Sequence, residues 1–108
     1  MKLPPHAFVD LVKLCDYCLS ATHPEGKNKA RVFLAALGVT VNDAGWLRDE
    51  LLAAATHEQC KPGVATTHGQ RYTVDFDVRR GHRKARVRSA WIVRSGENFA
   101  RLTSCYVL

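Results

Sequence analysis

The apolar positions keep a helical spacing up to about residue 60 and an alternating one afterwards, with Pro62-Gly63 at the change. Over residues 6 to 20, Phe8, Leu11, Val12, Cys15, Cys18 and Leu19 fall on one side of an amphipathic helix. Pro4 and Pro5 suit its first turn or an extended arm before it, and "AFVDLV" also fits a short strand. The stretch "HPEGKNKARVFLAALG" predicts a second helix, roughly Glu25 to Leu37. Ala30, Phe33, Leu34 and Leu37 follow the i, i+3, i+4, i+7 rule there, and Gly38 is placed to end it. "VTVNDAGWLRDELLAAATHEQ" predicts a third, capped by Asn42 or Asp43, with Leu47, Leu51 and Ala54 as its buried stripe and Leu52 alongside.

Beyond Gly63 the period is two. "RYTVDFDV" sets Tyr72, Val74, Phe76 and Val78 against Arg71, Thr73, Asp75 and Asp77. "KARVRSAWIVRSG" sets Ala85, Val87, Trp91 and Val93 against Arg86, Arg88, Ile92 and Arg94, and "RRGHR" between the two reads as a turn. After the "SGEN" turn, "FARLTSCYVL" alternates Ala100, Leu102, Tyr106 and Leu108 against Arg101, Thr103, Cys105 and Val107. A short earlier strand, "VATT", pairs through a His68-Gly69 turn. The expected architecture is one α+β domain spanning residues 1–108. Its helical half, about 6–58, packs on one face of a three- to four-stranded antiparallel sheet at about 64–108, leaving the other face partly open.

Charge sharpens this picture. Residues 1–60 carry six Lys or Arg against seven acids, whereas residues 61–108 carry ten against three. The basicity therefore belongs to the sheet, which points to a polyanionic partner or to a solvated face. No apolar run approaches the ~18 residues of a membrane helix. Asp10, Lys13 and Asp16 interrupt any signal-peptide core, so the expected location is cytoplasmic and no membrane partner is expected.

The chemistry-bearing motifs are few. Phosphate-loop, dinucleotide-fingerprint and nucleophile-elbow patterns are absent, and the pattern calls for no cofactor. Cys15 and Cys18 have C-x-x-C spacing, but a structural zinc would need Cys60 and Cys105, or His57, to converge on them. Buried small hydrophobes is the better reading of all four, so no metal site is expected. His23 precedes a helix start with Gly26 and Lys27 close by, so an imidazole, an ammonium and free N–H groups can converge on an anion. Arg101 and Thr103, two apart on the last strand, offer a guanidinium fork and a hydroxyl on one face, with Arg94 across the turn. Each half alone also fits a loop histidine that ends the turn before Pro24, or an ordinary polar face of an edge strand.

Taken together, "KLCDYCLSATHPEGKNKARVFLAALGV", a tryptophan-leucine helix, "GQRYTVDFDV", "KARVRSAWIV" and "RLTSCYVL" resemble a small uncharacterised bacterial domain family, over about residues 13 to 106. That family in turn looks like the EndoU, colicin and RelE types of toxin ribonuclease (the BECR fold), which cleave RNA between helices and a sheet. The resemblance implies a metal-independent endoribonuclease working by attack of the ribose 2′-OH. It implies His23 as general acid/base, Lys27 and Arg101 as phosphate clamps and Thr103 as an orienting donor. Lys29, Arg86, Arg88, Arg94, Trp91 and Tyr106 would bind the RNA, although the register of Trp91 with Val87 and Val93 favours the core. An acidic antitoxin or immunity protein is the natural complement of such a sheet. The rival classes are a non-catalytic basic module, for nucleic acid or an acidic protein, and a small structural adaptor.

Overall fold

The computed structural model describes all 108 residues. The chain runs β1 (Ala7–Phe8), α1 (Leu11–Lys13), a π-helical turn (Leu14–Cys18), α2 (Lys27–Leu37), a 3-10 turn (Val41–Asp43) and α3 (Ala44–His57). Four strands follow: β2 (Lys61–Thr66), β3 (Gly69–Arg80), β4 (Arg83–Arg94) and β5 (Ala100–Val107). All the strands form one sheet in the order β1-β5-β4-β3-β2. The fold is α+β, with three helices ahead of most strands. The sheet is larger than the sequence predicts, and it is mixed, because β1 runs parallel to β5 through Ala7↔Ala100 and Phe8↔Arg101. The two residues of β1 lie in "AFVDLV", which also fits a short strand, but they carry no period that specifies the parallel partner.

The first predicted helix is reshaped as well. Asp10 accepts from the Val12 N–H and starts a single α-helical turn, which widens into the π turn. Leu14, Cys18 and Leu19 enter the core, whereas Leu11 and Val12 face outward. Helices α2 and α3 keep the predicted stripes: Ala30, Phe33 and Leu37 are buried on one, and Leu47, Leu51 and Ala54 on the other. Leu34 is the exception and is exposed.

The end of α2 has no basic residue of its own to satisfy its last carbonyls. Gly38 turns left-handed at φ 66° and donates to the Leu34 carbonyl. Arginines of the β3–β4 hairpin supply the rest. Arg80 donates to the Gly38 carbonyl at 2.7 Å and to Asp43 at 2.8 Å, and Arg83 reaches the Leu34 and Ala35 carbonyls at 3.4 Å. The hairpin closes through Gly81-His82, with Gly81 at φ 62°, the positive value the first position of a type II′ turn requires.

On the core face, Val74, Phe76, Val78, Val87 and Trp91 lie under the helices. The Trp91 ring is fully buried, its Nε1–H donating to Ser89 Oγ and the Ser89 hydroxyl donating to the Val74 carbonyl, both at 2.8 Å. Along β5 the expected alternation breaks. Ala90 pairs with Ser104 but Trp91 pairs with Leu102, which leaves Thr103 as the extra residue of a bulge. The bulge reverses the faces after it, so Cys105 is buried with Leu102, and Tyr106 pairs with Arg88 on the open side.

One loop contact fixes how the helices meet. A Cβ on Gly26 would stand 2.0 Å from the Tyr17 carbonyl oxygen, whereas one on Gly45 in α3 would meet nothing within 4 Å. Gly26→Ala should therefore cost roughly 2–4 kcal/mol in a denaturant titration, and Gly45→Ala should gain roughly 0.5–1 kcal/mol. Equal effects at the two positions would contradict this packing.

Candidate functional site

The structure uses the helical half of the expected site for architecture. His23 Nδ1 accepts the Glu25 and Gly26 N–H groups, each at 3.0 Å, and its carbonyl accepts the Lys27 N–H. Its ring stacks on Tyr17 with centroids 4.9 Å apart. The nitrogen lone pair a general base needs is thus engaged by the turn that leads into α2. Lys29 is likewise committed. Its Nζ donates to Tyr17 Oη at 2.9 Å and Ser104 Oγ at 3.2 Å, and it lies 4.6 Å from the centre of the Tyr17 ring. Lys27 stands on the wall of a separate, largely apolar depression of about 450 Å³, beside Arg31, Leu34 and Val39.

The sheet half does assemble. Arg94, Arg101 and Thr103 line one depression of about 120 Å³, joined by Lys13, Asp10 and Phe8 from the N-terminal segment. Lys13 and Asp10 escape a reading of the sequence because only the parallel pairing of β1 with β5 carries them there. Arg101 is held by Glu97 through two hydrogen bonds, at 3.1 and 2.9 Å, and its guanidinium lies 5.6 Å from the centre of the Phe8 ring and 4.8 Å from that of Phe99. Thr103 Oγ1 already donates to the Ala90 carbonyl at 3.1 Å, so toward this depression it presents an acceptor rather than the expected donor. No depression has His23 on its wall, and none has Lys27 together with Arg101. No single depression thus joins the two halves.

Cross-strand register decides which cations of the open face are free. Arg88 grips Asp75 through two 2.8 Å hydrogen bonds, while Arg86 pairs with Asp77 at 3.0 Å. Arg71, Arg79, Lys84 and Arg94 pair with no carboxylate. Two of the expected RNA-binding arginines are thus largely neutralised, and Arg94 is not. Trp91, buried under the helices, has no route to a base stacked on the open face. The exposed ring next to the cations is Phe8, at 47 % exposure.

Against known proteins, residues 2–108 match a family model described as a domain of unknown function (DUF6883). No curated protein matches the chain. No helix is long and apolar enough to cross a membrane.

The ion pairs set an acid limit on the fold. The Thr40 N–H and then Arg80 hold Asp43 below the usual carboxylate range, Arg88 does so for Asp75, and Arg101 for Glu97. A carboxyl depressed in the folded state contributes stability above its unfolded value of about 4, and that stability is lost as the pH falls further. Thermal unfolding should show a plateau from about pH 7 to 5 and a falling Tm below about pH 4. Asp75→Asn should lower the plateau and flatten the fall; an unchanged acid limb in that variant would contradict the assignment.

Proposed function

The chain belongs to this family of unknown function (DUF6883), and from that premise we propose that it binds single-stranded RNA across the open sheet face. A phosphate would sit in the depression formed by Lys13, Arg94 and Arg101. The observation that carries this reading is the meeting of free cations with an exposed aromatic ring at one small concavity: Lys13 and Arg94 pair with no carboxylate, and Phe8 stands at the rim. Backbone cations beside a stacking platform are what a single strand requires. Arg71 and Arg79 on β3 and Lys84 on β4 extend the positive track along the same face. The charge imbalance of the chain, net +6, gives the long-range attraction.

RNA cleavage is the second reading, favoured by Asp10 on the same wall as Lys13. A carboxylate and an ammonium flanking a guanidinium clamp supply the base, the acid and the charge stabilisation that 2′-OH attack uses. In this reading Asp10 and Lys13 divide between them the base and acid roles first assigned to His23, and Arg101 keeps its own. An acidic inhibitor protein would cover the same face.

Fluorescence anisotropy with a labelled single-stranded RNA, followed on a gel in EDTA, tests both readings. Arg94→Ala should weaken binding roughly tenfold at low salt and reduce the slope of log affinity against log salt by about 1. Arg48→Ala, on α3, should change neither. Intact RNA throughout leaves the binding module; cleavage that Asp10→Asn abolishes establishes the enzyme. Absence of binding at low ionic strength, or Arg94→Ala binding like wild type, would overturn the proposal.

A further inference from the structure

Leu34 keeps the spacing of the buried stripe of α2, yet it is 52 % exposed and borders the largest depression on the molecule. That depression holds about 450 Å³, within the ~300–1,000 Å³ of small-molecule sites. Ala30 and Val39, both buried, give it an apolar floor beside Leu34. Lys27, Asn28 and Arg31 stand on its wall, and no carboxylate does. Neither Lys27 nor Arg31 pairs with a carboxylate elsewhere. Arg31 Nη2 donates to Asn28 Oδ1, which leaves the amide's Nδ2 without a partner. The remaining polar side chain, Thr40, is used within the chain: its hydroxyl donates to Asp43 at 3.2 Å and accepts the Asn42 N–H at 3.3 Å. Every side-chain group left free on this wall is therefore a donor, and two of them are cations.

We infer that this depression is a binding site for a small amphiphilic carboxylate, an acyl chain of medium length that ends in a carboxylate. The inference is independent of the RNA reading, which concerns the open face of the sheet. Charge complementarity selects the head group. The Arg31 guanidinium offers a fork that takes both carboxylate oxygens, and Lys27 adds a second cation one helical turn away. A bare inorganic anion would leave Ala30, Leu34 and Val39 in water, and an uncharged chain would leave the cations unused. The helix also sets the polarity of the site. Lys27, Arg31 and Leu34 follow one another at i, i+4 and i+7, and so share one face of α2. Helical side chains lean toward the N-terminus, so the charged heads gather at the start of α2. Leu34 lies toward its other end, about 10 Å further along the axis from Lys27. That distance is the span of a medium-length acyl chain. Laying such a chain over Leu34 takes both apolar surfaces out of water, which gives the exposed leucine a partner.

Titrating the folded full-length protein with octanoate at about pH 7, where the carboxylate is ionised, and following backbone amide NMR shifts tests this. Octanoate should saturate one site with a Kd on the order of 1 mM or tighter. The amides of Lys27, Arg31, Leu34 and Val39 should move together. Acetate lacks the chain and octylamine reverses the head charge, so each should bind at least roughly tenfold more weakly. Arg31→Gln should weaken octanoate binding about tenfold, and Arg31→Lys should weaken it less. Leu34→Glu should abolish it. Both side chains are exposed, so each variant should keep the wild-type Tm. Arg94→Ala should bind octanoate like wild type. Failure of octanoate to saturate, shifts confined to the surroundings of Arg94 and Arg101, octylamine binding as tightly, or wild-type affinity in Leu34→Glu would each overturn the inference.

Discussion

The ammonium of Lys29 stands where three segments meet, and the arrangement of the domain depends on that meeting. It rises from α2, donates to Tyr17 on the π turn and to Ser104 on β5, and lies against the Tyr17 and Tyr106 rings. A cation near a helix N-terminus is unfavourable by itself. Here two hydroxyl acceptors and two aromatic faces offset that cost, in a half-buried position where they are worth more than in water. His23 and Gly26 complete the joint. The imidazole holds the turn into the helix and stacks on Tyr17, and the missing glycine side chain lets the loop press onto the Tyr17 backbone.

From this joint the division between structural and available cations follows. Arg80 and Arg83 end α2, Arg88 and Arg86 hold Asp75 and Asp77, and Arg101 holds Glu97. Much of the positive charge that makes the second half of the chain basic is consumed within the fold. The remainder is directional: Arg71, Arg79, Lys84 and Arg94 share the open face, and Lys13 reaches its end from the N-terminal segment. A partner reading this surface meets a few free cations at fixed places rather than a uniform basic sheet.

The helices and the long hairpin were legible in the sequence because each repeats its pattern over many residues. Phe33, Leu37, Leu47 and Leu51 are buried as their spacing requires, and Val74, Phe76 and Val78 as their alternation requires. What escaped was set by single-residue events. A short strand in "AFVDLV" was readable as an alternative, but not its parallel pairing with β5, which brings Lys13 and Asp10 to Arg101. One extra residue at Thr103 moves Cys105 into the core and Tyr106 out of it. The pairing of Asp75 with Arg88 depends on a register that no local pattern specifies. The sheet half of the candidate site was therefore readable, since Arg94, Arg101 and Thr103 do share one depression. On the helical side, a turn-forming histidine and a catalytic one look alike in sequence until the lone pair has a partner.

The central claim is that Lys29 at the start of α2 holds the fold together, while the cations proposed to meet the partner lie at the end of the open face. Pairing Lys29→Met with Arg94→Ala, and reading thermal unfolding and single-stranded RNA affinity on each, tests it most directly. Lys29→Met should lower the Tm by several degrees, the equivalent of about 1–2 kcal/mol, and leave the affinity of the folded protein unchanged. Arg94→Ala should leave the Tm in place and weaken binding. Lys29→Met protein that melts like wild type but loses RNA affinity would contradict the account.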